Sequence, residues 1–236
     1  SILALQAAGL DILTLANNHT QDCSGNAGDQ ETAQILQQAG LKSVEGNYTP
    51  ILLHVNNLEL AVFAMDDVSN PLDVETAVQA VHNAKQQGSI IIVSIHWGME
   101  YHPGTDRRQQ FIAQELANAG AAVIAGHHPH VLQKIEWIQG TSYSPPTLVA
   151  YSLGNALFDQ TMPDTRRSVV LLANLNSYGV VSWWVAPFQV DYHSASIVAL
   201  EAESIPIICS RLGGKPGCDL QNQFLKYPPE FWQTLE

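Results

Sequence analysis

The run SIIIVSI at residues 89–95 constrains the fold more than any other stretch. It is short, β-branched and apolar on both faces, the pattern of a strand buried in the centre of a parallel sheet. Parallel strands are joined through long crossovers, usually helices, and helical patterns lie on both sides of this one. Before it, DVETAVQAVHNAKQQ is closed by Gly88. After it, TDRRQQFIAQELANA begins at a Thr105 or Asp106 cap and stops before Gly120. The chain therefore reads as α/β.

The same alternation extends from the first residue to about residue 155. SILALQAA reads as a helix ending at Gly9, and LDILTLA as a buried strand ending at Ala16. DQETAQILQQA places Ala33, Ile35, Leu36 and Ala39 along one helical face and stops at Gly40. PILLHV and LELAVFAM read as a hairpin turning at Asn56 and Asn57, and AAVIA as a short strand ending at Ala125. Beyond Lys134 the texture changes to IEWIQG, TLVAYSL, SVVLLANL, VVSWWVAPFQV and SASIVAL, with turn signals between them. That is an antiparallel, β-rich second half. The expected organisation is one domain over residues 1–195, then an irregular surface tail over 196–236.

Composition limits the function classes. Hydrophobic residues make up 46% of the 236 and charged residues 14%, enough for a core and unlike a disordered chain. A net charge of −12 with only ten Lys and Arg argues against nucleic acid as a partner. An anionic substrate remains compatible, because bound metal ions supply positive charge locally. No apolar run reaches the roughly 18 residues that a membrane helix needs. Without an initiator Met or signal peptide, the chain is expected to be a fragment or processed form, with any targeting segment upstream. Cys209 and Cys218 bracket a glycine-rich loop and are either a disulfide of an exported protein or two free thiols, leaving Cys23 over.

The polar residues cluster where strands end. NNH (17–19) follows one strand, HWGMEYH (96–102) the central one, GHHPH (126–130) the next, and Gly154–Asn155 a fourth. Ligand sites of open α/β sheets lie outside the carboxyl ends of the strands, so these four stretches are poised to converge. Six of the nine histidines, His19, His96, His102, His127, His128 and His130, fall in the first three. Neutral imidazole is the commonest metal ligand, and an Asn carbonyl suits harder divalent ions. Pro129 stiffens the loop between His128 and His130. A lone histidine after a strand is more often a hydrogen-bonded structural residue, so it is the conjunction that points to a shared site. Asp22 and Glu100 either orient ligating imidazoles or are solvated loop acids.

Three stretches, LANNHTQD, SIHWGMEYHPGTDRRQQFIAQELANAGAAVIAGHHPHVLQKIE and LVAYSLGNALFDQ, resemble the capsule-synthesis protein CapA family, associated with poly-γ-glutamate. The core of that family is similar to the calcineurin-like metallophosphoesterases. The resemblance covers about the first 190 residues and implies a layered α/β sandwich whose first strands precede this chain. It implies two divalent ions (Mn, Fe or Zn) held by Asn18, His96, His128 and His130, with His19 acting on the leaving group. His127 stands where the wider superfamily has Gly, and Asn155 and Asp159 are expected to shape the site wall. A bridging carboxylate is expected ahead of Ser1. The implied substrate is an anionic polymer or a phosphoester, handled outside the cytoplasm beside membrane-bound capsule-synthesis subunits, with an anchor outside this sequence. Two alternatives stand: a non-catalytic subunit that holds or guides the polymer during export, and a structural domain with satisfied histidines.

Overall fold

The computed structural model describes residues 2–214 except 24, 47, 142, 143, 192, 195 and 199. The elements run α1 (Ile2–Ala7), β1 (Ile12–Thr14), α2 (Asn26–Gln38), β2 (Lys42–Val44), β3 (Ile51–Val55), β4 (Leu58–Asp66), α3 (Val74–Gln86), β5 (Ile90–His96), α4 (Arg107–Asn118) and β6 (Ala121–His127). There follow β7 (Ile135–Ile138), β8 (Thr147–Ala150), a 3₁₀ turn (Pro163–Arg166), β9 (Arg167–Asn176), β10 (Gly179–Asp191), β11 (Ser196–Val198) and α5 (Ser204–Arg211).

Six strands form the main sheet in the order β3-β4-β5-β6-β8-β7. The inner four are parallel to one another, while β3 and β7 run antiparallel at the edges. The SIIIVSI run is thus an interior strand, and its side chains alternate between two cores. Ile91, Val93 and Ile95 join Phe63, Val81, Ile112 and Leu116 beneath α3 and α4. On the opposite face Val123 and Leu148 pack with Val169, Trp183 and Ile208 from β9, β10 and α5. Helices cover one face and the antiparallel sheet β11-β10-β9 covers the other, giving a layered α/β sandwich.

Local signals explain the crossover helices. Asp73 caps α3 by accepting from Thr76 N at 3.2 Å. Of the two candidate caps for α4, Asp106 serves, in a reciprocal capping box with Gln109. Gly88 and Gly120 follow these helices at φ 96° and 102°, a left-handed backbone that a side chain would strain.

The structure differs from the sequence expectations in four places. LDILTLA is not a buried strand of the main sheet: only Ile12–Thr14 are extended, half-buried, and paired in parallel with β2. The strand β2 is three residues with one buried side chain, too short for periodicity to reveal. The strands β5 and β6 run on to His96 and His127, past the expected ends at Ile95 and Ala125, because those two residues pair across the sheet. The strand expected in SASIVAL forms as β11, but the stretch after it, expected to be irregular, carries α5, whose Ile208 and Cys209 are buried. Cys218, and with it the Cys209–Cys218 pairing, lies outside the described residues.

A candidate metal centre at the carboxyl edge of the sheet

Parallel pairing of β5 with β6 sets His96 beside His127 at the carboxyl edge. The β1–α2 loop approaches from one side, and Asn18 Oδ1 lies 2.7 Å from His96 Nε2. On the other side of the His96 ring is His128, with centroids 4.6 Å apart. The loop after β6 turns sharply, with His128 at φ 99° and His130 at φ 60°. Left-handed non-glycine residues cost on the order of 1–3 kcal/mol each and gather where function demands a particular side-chain placement. The loop after β5 is stitched to it, Tyr101 N donating to Pro129 O at 2.8 Å, with Tyr101 itself at φ 60°.

This stitching carries Glu100 into the cluster. One donor atom each from Glu100, His128 and His130 lies within 4.8 Å of the others. His130 is held from behind: its Nδ1–H donates to Asn155 Oδ1 at 2.8 Å, so Nε2 faces Glu100 at 3.8 Å. Asn155 is itself fixed by donating to Gln160 Oε1 and Thr165 O, both at 3.1 Å. The structure thus assembles an imidazole–carboxylate set (Glu100, His128, His130) next to an amide–imidazole pair (Asn18, His96). Mixed nitrogen and oxygen donors of this kind suit Mn, Fe or Zn, so the residues present fit a divalent cation.

Burial and mutual repulsion disfavour protonation of the imidazoles in the cluster. Burial, reinforced by the neighbouring imidazoles, pushes His96 down to about 2 from the usual 6.5. Loss of solvation around His127 lowers it to about 4, and burial lowers His128 against an opposing pull from Glu100. These rings are neutral at pH 7, the form that binds metal.

His19 stands at the mouth. Its Nδ1–H donates to Asp22 Oδ2 at 2.8 Å, and its Nε2 accepts from Asn18 Nδ2 at 3.3 Å. A cleft of about 480 Å³ opens over the cluster, lined by Asn18, His19, His96, His127, His130 and Phe158 among others. Asp159 is exposed on the neighbouring loop, and no hydrogen bond or ion pair joins it to the described residues of the cluster. His102 turns away, donating from Nδ1 to Gly104 O at 2.7 Å.

The sequence matches the family described as Bacterial capsule synthesis protein PGA_cap over residues 1–160. The chain belongs to that family. Among its relatives are the PGA biosynthesis protein CapA of Bacillus subtilis (strain 168), 31% identical over 87% of this chain and 57% of the relative. The capsule biosynthesis protein CapA of Bacillus anthracis is 28% identical over 81% of this chain and 50% of the relative. The chain therefore spans about half the length of the curated relatives it matches. Among solved structures, a hypothetical protein from Thermus thermophilus superposes with a TM-score of 0.53 at 16% identity, covering 78% of this chain and 79% of its own. That likeness concerns the fold alone, a layered α/β sandwich.

Within this capsule-synthesis family member, three groups at the site were missed by sequence reasoning. Ser94 and Thr14 back His127, Ser94 Oγ lying 3.0 Å from His127 Nε2 and 3.2 Å from Thr14 Oγ1. Gln160 bridges Asn155 to the Tyr101 hydroxyl, to which its Nε2 donates at 2.9 Å. The signal for Ser94 was its interruption of an otherwise apolar central strand. Gln160, in a loop, gave none.

Proposed function

We propose that the chain is the catalytic part of a metal-dependent hydrolase of the metallophosphoesterase type, acting on an anionic polymer or phosphoester in capsule synthesis. The observation that carries this reading is the gathering of Asn18, His96, His128, His130 and Glu100 into one imidazole and oxygen cluster. These residues would hold one or two divalent cations, and cations bound there supply Lewis acidity to water and to the scissile group. His130 is presented by Asn155, and His96 by the pairing of β5 with β6. His19 delivers a proton to the leaving atom, and Asp22 fixes its ring by accepting from Nδ1. The setting is extracytoplasmic, beside membrane-bound synthesis subunits; no helix among the described residues is long and apolar enough to cross a membrane.

A polymer-holding subunit without catalysis is the weaker reading. Holding a polyanion calls for Lys or Arg along the groove, and the residues lining this cleft are Thr, Asn, His and Phe. Elemental analysis of the purified chain after loading with Mn or Zn is expected to give one to two ions per chain. The His128→Ala/His130→Ala double variant is expected to lose them, together with cleavage of a phosphodiester chromogen or of poly-γ-glutamate. Unchanged metal content in that variant refutes the ligand assignment. Intact metal binding with no cleavage of either substrate favours the holding role.

A further inference from the structure

We propose that His127 is a positioning residue, which sets the ring orientation and tautomer of His96 through a hydrogen-bonded relay running Thr14–Ser94–His127–His96–Asn18. Its metal-loaded arm rests on the reading that His96 holds a cation.

The relay follows from atom placement. His96 Nδ1 and His127 Nδ1 lie 2.6 Å apart. Two ring nitrogens approach so closely when one carries the hydrogen and the other the lone pair, so a single proton sits between them. His127 Nε2 is engaged by Ser94 Oγ at 3.0 Å, and Ser94 Oγ by Thr14 Oγ1 at 3.2 Å. Both nitrogens of His127 are thus committed inside the protein and neither is free for a cation. His96, by contrast, turns Nε2 towards Asn18 Oδ1 and the cleft. His127 stands behind His96, and it is the imidazole at this position that reaches His96 Nδ1.

The chain of bonds can be written in two directions, because hydroxyls donate and accept equally well. In the first, Thr14 donates to Ser94, Ser94 to His127 Nε2, His127 Nδ1–H to His96 Nδ1, and His96 Nε2–H to Asn18 Oδ1. In the second, His96 Nδ1–H donates to His127 Nδ1, His127 Nε2–H to Ser94, and Ser94 to Thr14. Asn18 Oδ1 and His96 Nε2 at 2.7 Å select the first when His96 Nε2 carries a proton. Once that nitrogen gives its lone pair to a cation, its proton must sit on Nδ1, and only the second direction satisfies every group. Each direction conserves the protons, one on each ring and one on each hydroxyl.

The test is nitrogen-15 NMR of the full chain labelled at histidine, in which two-bond couplings report which ring nitrogen is protonated. Without metal, wild type is expected to show His96 as the Nε2–H and His127 as the Nδ1–H tautomer. Zn is expected to switch both, to Nδ1–H on His96 and Nε2–H on His127. His127→Leu should leave His96 with mixed tautomers and weaken Zn binding by about 10–100-fold, the usual loss when the partner behind a ligating histidine is removed. His127→Asn, which keeps an acceptor near the Nδ1 position, should recover affinity to within several-fold of wild type. Should the leucine variant not fold, Ser94→Ala carries the same test, because His127 then loses its defined tautomer. Wild-type Zn affinity in His127→Leu, or an unaltered His96 tautomer there, overturns the proposal. If wild type takes up no Zn, the hydrolase reading fails, while the metal-free spectra still decide the relay: any tautomer pair other than the one named overturns it.

Discussion

Gly126, the first residue of GHHPH, can be tested without knowing any substrate. A Cβ built there would lie 2.1 Å from Tyr151 O, 2.3 Å from Trp97 Nε1 and 2.8 Å from Tyr151 C. Ordinary contact begins near 3.4 Å, so β6 and β8 would have to part by more than an ångström, or the indole swing away. The methyl would stand in the path of the bond from Trp97 Nε1–H to the Tyr151 backbone carbonyl, 2.8 Å long, between residues 0% and 1% exposed. Overpacking a core costs about 1–3 kcal/mol, and a buried donor and acceptor left unpaired cost about 1–3 kcal/mol more. Gly126→Ala is therefore expected to remove about 2–6 kcal/mol of a stability on the order of 5–15 kcal/mol. A central loss of about 4 kcal/mol lowers Tm by roughly 8–16 °C for a chain of this size. Urea unfolding followed by tryptophan fluorescence measures it directly. Gly40→Ala is the comparator: its φ is 77°, but nothing lies within 4 Å of the added Cβ, so only backbone strain of about 1–2 kcal/mol is at stake. If Gly126→Ala destabilises no more than Gly40→Ala, the close approach of β6 to Tyr151 is not what requires this glycine.

Three further outcomes follow from contacts around the site. Asp67 is 5% exposed at its side chain and is held by Arg108 through Nε at 2.8 Å and Nη2 at 2.5 Å, so Arg108→Leu strands a carboxylate and is expected to cost about 2–4 kcal/mol in urea. A loss below about 1 kcal/mol would mean that water replaces the arginine. Gln133, fully buried, donates to His102 O at 2.8 Å and Gly104 O at 2.9 Å and accepts from Gln109 Nε2 at 3.0 Å. Gln133→Leu should release the loop bearing Glu100, losing about 2–3 kcal/mol and weakening metal uptake in titration calorimetry; unchanged uptake would remove Glu100 from the ligand set. Because the native state holds His96 near 2 and His127 near 4 against an ordinary 6.5, the unfolded chain binds protons that the native chain refuses. Stability of the metal-free protein is therefore greatest above about 6.5 and falls on acidification, by up to about 1.4 kcal/mol per pH unit for each ring. That window extends down to about 4 for His127 and further for His96; equal urea midpoints at pH 7.5 and pH 5 would refute it.

How much of this was legible in the sequence depended on the range of the interaction that decides each feature. The helices α3 and α4 were readable because their signals are local: Asp73 and Asp106 cap within three residues, and Gly88 and Gly120 stop the turn. The parallel core was readable because burial on both faces leaves a continuous apolar run in each strand. By contrast β1 was misplaced, because its three extended residues owe their conformation to β2, some thirty positions on, and not to their own pattern. The histidines could be assigned to one edge from strand order, yet their individual duties could not. Which imidazole faces the cleft and which stands behind it is fixed by the bulge between Ile91 and Ile92 and by the β5–β6 register, neither of which leaves a mark in residue type. Glu100 shows the same limit: as a loop acid it read as an orienting or solvated group, and contacts between loops from different strands, among them the Tyr101–Pro129 bond, bring its carboxylate within reach of His128 and His130. Ser94 was the one clue available in advance. A half-buried hydroxyl near the carboxyl end of an otherwise apolar strand needs a partner, and here His127 of the parallel neighbour β6 and Thr14 of β1 supply it. The break in SIIIVSI therefore marks, from within the core, where the histidine edge begins.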